Sequence, residues 1–163
     1  MKVRVGFGFD VHQLKVGNDL WLGGIKLLHT KGAVGHSDAD VLIHAICDAL
    51  LGAAGLRDIG FYFPDTSVEF KGIDSKILLQ RVVKLISEKG FTIGNVDASL
   101  CLEAPKIKPY IAAMQEVIAG ILKITVKDIS IKATTTEKMG FVGREEGLVA
   151  HAVCLLKNIS TNT

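Results

Sequence analysis

Cysteine is scarce in this chain of 163 residues: Cys47, Cys101 and Cys154 are odd in number, widely spaced and set among apolar neighbours. That pattern excludes a disulfide framework and reads as reduced core thiols in a cytoplasmic protein. Long hydrophobic runs are missing, so no membrane span is expected. Charge of one sign is missing as well. Nineteen Lys and Arg against 17 Asp and Glu leave a net +2, too little to argue for nucleic acid or an anionic membrane as partner. No linker, repeat or low-complexity tract divides the chain. Met1-Lys2-Val3-Arg4-Val5 enters an alternating pattern at once, so no signal or transit segment is expected. An apolar share of 48% fits one globular domain over residues 1–163, acting without an added domain.

What is present reads as strands interleaved with helices. Val3, Val5, Phe7 and Phe9 alternate with Arg4, Gly6 and Gly8, a strand with one buried face. Leu20-Trp21-Leu22 and Ile25-Lys26-Leu27-Leu28 flank Gly23-Gly24 as a hairpin would. Residues 38–54 carry the helical period, with Ser37 three before Asp40 as a capping-box-like start. A second helix is expected from about Ser75 to Lys89, stopped at Gly90. Val96, Ala98, Leu100 and Leu102 alternate as a strand, and a third helix begins near Pro109 with Ile111, Met114, Ile118 and Leu122 inward. Ile129–Ala133 and Leu148–Leu156 supply two more strands. The expectation is a single-domain α+β fold, a sheet covered by helices on at least one face. These patterns do not fix the strand order.

Two groups of polar residues carry chemistry. Asp10 and His12, two apart on a strand, share a face and can hold one ion between them. Asp40, His44 and Asp48, four apart, form a polar stripe on the following helix. A third ligand from this region completes three protein donors with an open position, the arrangement of catalytic zinc. Imidazole mixed with carboxylate favours zinc over magnesium. Spacing leaves both His36 and His44 open as that ligand, while His29 and His151 read as structural.

The second group is Thr134-Thr135-Thr136, hydroxyls and backbone N–H groups at a strand exit of the kind that holds phosphate. Glu137 offers a carboxylate to a hard cation, and Lys138, Arg144 and Lys106 offer positive charge. Asp58-Ile59-Gly60 and Phe63-Pro64-Asp65-Thr66 form a loop whose two acids suit substrate hydroxyls. A metal beside a phosphate-handling loop points to phosphoryl chemistry.

Five blocks then match a known family in order. They are Gly8-Phe9-Asp10-Val11-His12, Gly35 to Val41 with His44, Asp58-Ile59-Gly60, Phe63 to Thr66, and Lys132 to Lys138 with Gly140-Phe141. Together they resemble the 2-C-methyl-D-erythritol 2,4-cyclodiphosphate synthases, from about Arg4 to Leu156. The resemblance implies a homotrimer of α+β subunits with active sites between neighbours. It implies conversion of 4-diphosphocytidyl-2-C-methyl-D-erythritol 2-phosphate to the cyclic diphosphate with release of CMP, in the non-mevalonate isoprenoid route. By matching position it implies zinc, or a similar transition metal, at Asp10, His12 and His44. Magnesium or manganese at Glu137 would bridge the substrate's phosphates.

The resemblance also implies substrate contacts. Asp10, His12, His36 and Ser37 would meet the phosphates, and Asp58, Ile59 and Gly60 the methylerythritol hydroxyls, helped by Phe63, Pro64, Asp65, Thr66 and Ser67. A neighbour's Leu102, Glu103, Ala104, Pro105, Lys106, Ile107 and Lys108 would hold the cytidine diphosphate with Ala133, Thr134, Thr135 and Thr136. Glu137, Phe141 and Arg144 complete the implied set. His36 and Thr135 would stabilise the transition state, each contributing about 2–4 kcal/mol. Arg144 and Glu146 match the family, whereas His151 replaces a glutamate that lines the trimer's central cavity in many relatives.

Overall fold

Glycine decides how the first strand packs in the computed structural model, which describes residues 2–158. Strand β1 (Val3–Val16) lays Gly6 and Gly8 directly on helix α1 (Val41–Ala54). A Cβ at Gly8 would overlap the Ala45 carbonyl oxygen, and one at Gly6 the Ala49 carbonyl oxygen. The buried face of β1 is therefore the glycine face. Val5 (66% exposed) and Phe7 (62%) stand on the other side with Val3, Phe9 and Val11. This reverses the face that hydrophobic alternation suggests, because α1 is too close for larger side chains.

Around this contact runs one five-stranded sheet in the order β4-β1-β7-β5-β6. Its other strands are β4 (Lys31–Val34), β5 (Phe91–Cys101), β6 (Ile129–Thr134) and β7 (Gly147–Asn158). Only β5 and β6 run parallel, joined through helix α4 (Ile111–Leu122). A separate hairpin pairs β2 (Leu20–Leu22) with β3 (Ile25–Leu27), as Gly23-Gly24 implies. Helix α1 is buried nearly all round, between the sheet and helix α3 (Ser75–Glu88). Gly90 takes the left-handed turn after α3. The whole is a mixed α+β domain with its helices on one side of the sheet, and none of the described helices is long and apolar enough to cross a membrane.

The start of α1 differs from the capping-box reading. Its N-cap is Asp40, fully buried, whose Oδ1 accepts from Ile43 N at 3.1 Å. The same carboxylate accepts from Gly23 N at 3.0 Å and Gly24 N at 2.7 Å, fastening the hairpin to the helix. Burial raises the Asp40 pKa above the usual carboxylate range, against the lowering effect of these N–H donors. Pro109 lies in a 3₁₀ turn, Lys108–Tyr110, ahead of α4 rather than inside it. Cys47 and Cys154 are buried free thiols as expected, but Cys101 is only half-buried.

Gly8→Ala is expected to cost about 3 kcal/mol of unfolding free energy, since backbone on α1 blocks the added methyl; urea titration checks this, and an unchanged midpoint would contradict it. Asp40→Ala strands three buried N–H groups and is expected to cost roughly 3 kcal/mol or more. Asp40→Asn, which keeps one acceptor oxygen, should fall between it and the parent in the same titration.

Candidate active site

The glycine contact carries straight into the site, because Asp10 and His12 share the face of β1 that bears Gly6 and Gly8. That face meets α1 at His44. Asp10 Oδ2 lies 3.1 Å from His44 Nδ1 and 3.3 Å from His12 Nδ1. Ligand-capable atoms of all three residues fall within 4.8 Å of one another, and all three are partly buried. Two imidazoles and one carboxylate, converging from two elements, fit a transition-metal cation. His44, rather than His36, completes the trio.

Charge shapes this corner. Burial alone would lower the His44 pKa, but the hydrogen bond and charge of Asp10, backed by Asp40 and Asp38, outweigh it and raise it. Asp48, one turn further along α1, is pushed up by burial, against the N–H of Ile59 at 2.7 Å. That bond anchors the short helix α2 (Ile59–Tyr62), so Asp48 positions the loop that the sequence singles out through Asp58. Asp58 itself caps α2, its Oδ1 accepting from Phe61 N at 2.9 Å.

A cleft of about 480 Å³ opens beside the trio. His12, His36, Ser37 and His44 line it with Ile59, Gly60, Phe63, Pro64 and Asp65. The ring Nε2 of His36 is 2.9 Å from the Ser67 carbonyl, which ties the two loops together. Thr66 is not among the lining residues. A second cleft of about 360 Å³ is lined by Leu102, Glu103, Pro105, Lys106, Ile107, Lys108, Ala133, Thr134 and Thr135. The two clefts have no lining residue in common.

Glu103 shapes the rim of the second cleft. Its Oε1 accepts from Thr136 N at 3.0 Å and Lys138 N at 3.2 Å, and from the Thr136 hydroxyl at 3.3 Å. Desolvation pushes its pKa up, but these donors together with the charge of Lys106 outweigh it and hold the pKa below the usual range. Glu137 and Lys138 follow in left-handed backbone conformation, with φ of +53° and +63°. The Thr135 hydroxyl donates to Glu137 Oε1 at 2.8 Å. Glu137 does not join the Asp10, His12 and His44 group. Phe141 faces a third cleft with Val11, His12 and Gln13, while Arg144 pairs with Glu146 through two 3.0 Å bonds.

Sequence reasoning missed Ser75 as part of the site, and placed Asp38 and Asp48 near the trio without giving either a partner. Ser75 Oγ lies 2.9 Å from His44 Nε2 across 31 residues of chain, a separation no spacing rule links. Asp48 carried a signal, its place on the polar stripe with Asp40 and His44.

Comparison with known proteins agrees with the geometry. The YgbB family matches residues 3–157. The 2-C-methyl-D-erythritol 2,4-cyclodiphosphate synthase of Bacteroides thetaiotaomicron is 63% identical over 157 residues, covering 96% of this chain and 99% of its own. That of Phocaeicola vulgatus is 65% identical over 157 residues, covering 96% and 98%. Among solved structures, the bifunctional IspDF from Campylobacter jejuni superposes with a TM-score of 0.93 at 43% identity, over 96% of this chain and 42% of that one. A CDP complex of IspF from Plasmodium falciparum gives 0.85 at 35% identity, covering 97% of each chain. With the metal-type trio, the two clefts and near full-length identity in agreement, the chain belongs to the YgbB family, among the 2-C-methyl-D-erythritol 2,4-cyclodiphosphate synthases.

Proposed function

We propose that residues 1–163 form one catalytic domain of a cytoplasmic homotrimer. It converts 4-diphosphocytidyl-2-C-methyl-D-erythritol 2-phosphate to the 2,4-cyclodiphosphate and CMP, as a CMP-releasing phosphorus–oxygen lyase of the non-mevalonate isoprenoid route. The observation that carries this reading is the Asp10, His12 and His44 trio opening onto the cleft of His36 and Ser37. A phosphate oxygen of the substrate attacks the β-phosphorus as the bond to the CMP phosphate breaks, and no water is consumed. A nucleophile that is already an anion needs little general-base help, so positioning and charge neutralisation dominate.

When bound, zinc at Asp10, His12 and His44, with magnesium or manganese at Glu137, supplies positive charge to the phosphoryl oxygens. This chain's residues do the rest. Ser37 and His36 receive the phosphates beside the trio, while Asp58, Ile59 and Gly60 take the methylerythritol hydroxyls. Phe63, Pro64 and Asp65 close that cleft, with Thr66 and Ser67 continuing the loop, and Ser67 steadies His36. A neighbouring subunit presents Leu102 to Lys108, with Lys106 countering diphosphate charge, and Ala133 to Glu137. Phe141 and Arg144 border the nucleotide. His36 and Thr135 stabilise the pentavalent arrangement, the Thr135 hydroxyl by turning from Glu137 to the phosphoryl oxygens.

Two features support a trimer whose sites span subunits. The clefts for the two halves of the substrate share no residue within a chain. The exposed side of β1 is apolar, and His151 packs on it, its ring centroid 5.2 Å from Phe9 and 6.0 Å from Phe7. An imidazole there, where the family resemblance implies glutamate, changes the charge offered to any ligand of a central cavity.

In oxygen-18 water the cytidylyl substrate is expected to yield CMP and a cyclic product free of label, and a chelator should stop both. Label in the diphosphate product would mean hydrolysis and end the reading. Sedimentation equilibrium is expected to give three times the chain mass, and Phe7→Asp is expected to lower that mass; a monomeric parent would refute the shared site.

A further inference from the structure

We propose that Asp38 and Ser75 act as a relay that fixes the tautomer of His44 and aims its Nδ1 at the cation, a role that rests on the metal reading above. The Ser75 hydroxyl has one hydrogen and two close partners, Asp38 Oδ1 and His44 Nε2 at 2.9 Å. A carboxylate oxygen only accepts, so that hydrogen goes to Asp38. Ser75 Oγ is left to accept from the ring, which requires a hydrogen on Nε2. Ser37 Oγ, 3.1 Å from the same nitrogen, already accepts from Ala39 N at 3.1 Å and offers the ring a further lone pair.

The consequence falls on the opposite ring nitrogen. In the neutral ring, Nδ1 carries a lone pair 3.1 Å from the Asp10 carboxylate oxygen. Two electron-rich atoms at that separation need a positive centre between them, a proton in the bare site or the cation in the filled one. The other tautomer would either set the Nε2 lone pair against those of Ser75 or pull the Ser75 hydrogen off Asp38.

The relay is held from behind. Asp38 Oδ2 accepts from Ser75 N at 3.0 Å and Oδ1 from Asp40 N at 3.2 Å, while the Asp38 N–H donates to the Ile73 carbonyl at 3.0 Å. Ser75 is fully buried, so water does not replace its hydroxyl. Partners of this kind, hydrogen-bonded to the free nitrogen of a ligating imidazole, set ring orientation and strengthen the ligand. Asp38 and Ser75 are thus positioning residues, touching neither substrate nor metal.

The test uses the full-length chain, stripped of metal and refilled with zinc. Zinc affinity is measured by competition with a chromogenic chelator for the parent, Ser75→Ala, Asp38→Asn and, as reference, His44→Ala. Thermal melts establish that each variant folds. The first two are expected to bind zinc about 10–100-fold more weakly than the parent. Long-range proton–nitrogen NMR of the zinc-loaded parent is expected to show the His44 hydrogen on Nε2. A hydrogen on Nδ1, or folded Ser75→Ala and Asp38→Asn proteins with parental affinity, overturns the relay. Should Ser75→Ala fail to fold, the tautomer in the parent still decides. A parent that takes up no zinc removes the metal reading and the relay together, whereas zinc binding indifferent to both substitutions removes the relay alone.

Discussion

Everything in this fold follows from how closely β1 approaches α1. Gly6 and Gly8 leave no atoms between strand and helix, and Ala45, Ala49 and Ala53 answer them from the helix side. A larger residue on either element would push the two apart by the width of a methyl group. Two and four residues beyond Gly8 the same strand face carries Asp10 and His12, and His44 stands on the helix opposite. The distance that packs the core therefore also sets the spacing of the metal-type donors. Core and site share one constraint.

Much of this was legible in the chain. The hairpin at Gly23-Gly24, the bodies of helices α1 and α3, and the strands around Val96, Ile129 and Leu148 follow local patterns that tertiary contacts left intact. Asp10 and His12 were readable as a pair because strand periodicity is strict. The orientation of β1 was not readable in the same way. Alternation marks two faces, but which is buried depends on what lies across from it, and here a helix backbone excludes side chains. The short strand β4 has too few residues to carry a pattern. The choice between His36 and His44 needed the helix placed against the strand. Ser75 gave no sign at all, since its partner is brought near only when α3 packs on α1.

The second cleft follows a different logic from the first. Its lining comes from the segment that follows β5, around cis Ala104-Pro105, and from the end of β6 and Thr135. Glu103 gathers the N–H groups of Thr136 and Lys138, and so fixes the backbone of the loop that carries the threonines. The resemblance had assigned Glu103 to the substrate. In the fold its Oε1 accepts from the loop at Thr136 and Lys138, so the same side chain that lines the cleft also shapes its rim.

Alternation along β1 separates two kinds of constraint within a single strand. Even-numbered positions from Gly6 to His12 are locked to the helix and to one another, so variation there disturbs folding and chemistry at once. Odd-numbered positions from Val3 to Val11 face away and answer only to whatever covers them. That outer surface, where His151 sits beside Phe7 and Phe9, can accordingly change without moving a single metal-type donor.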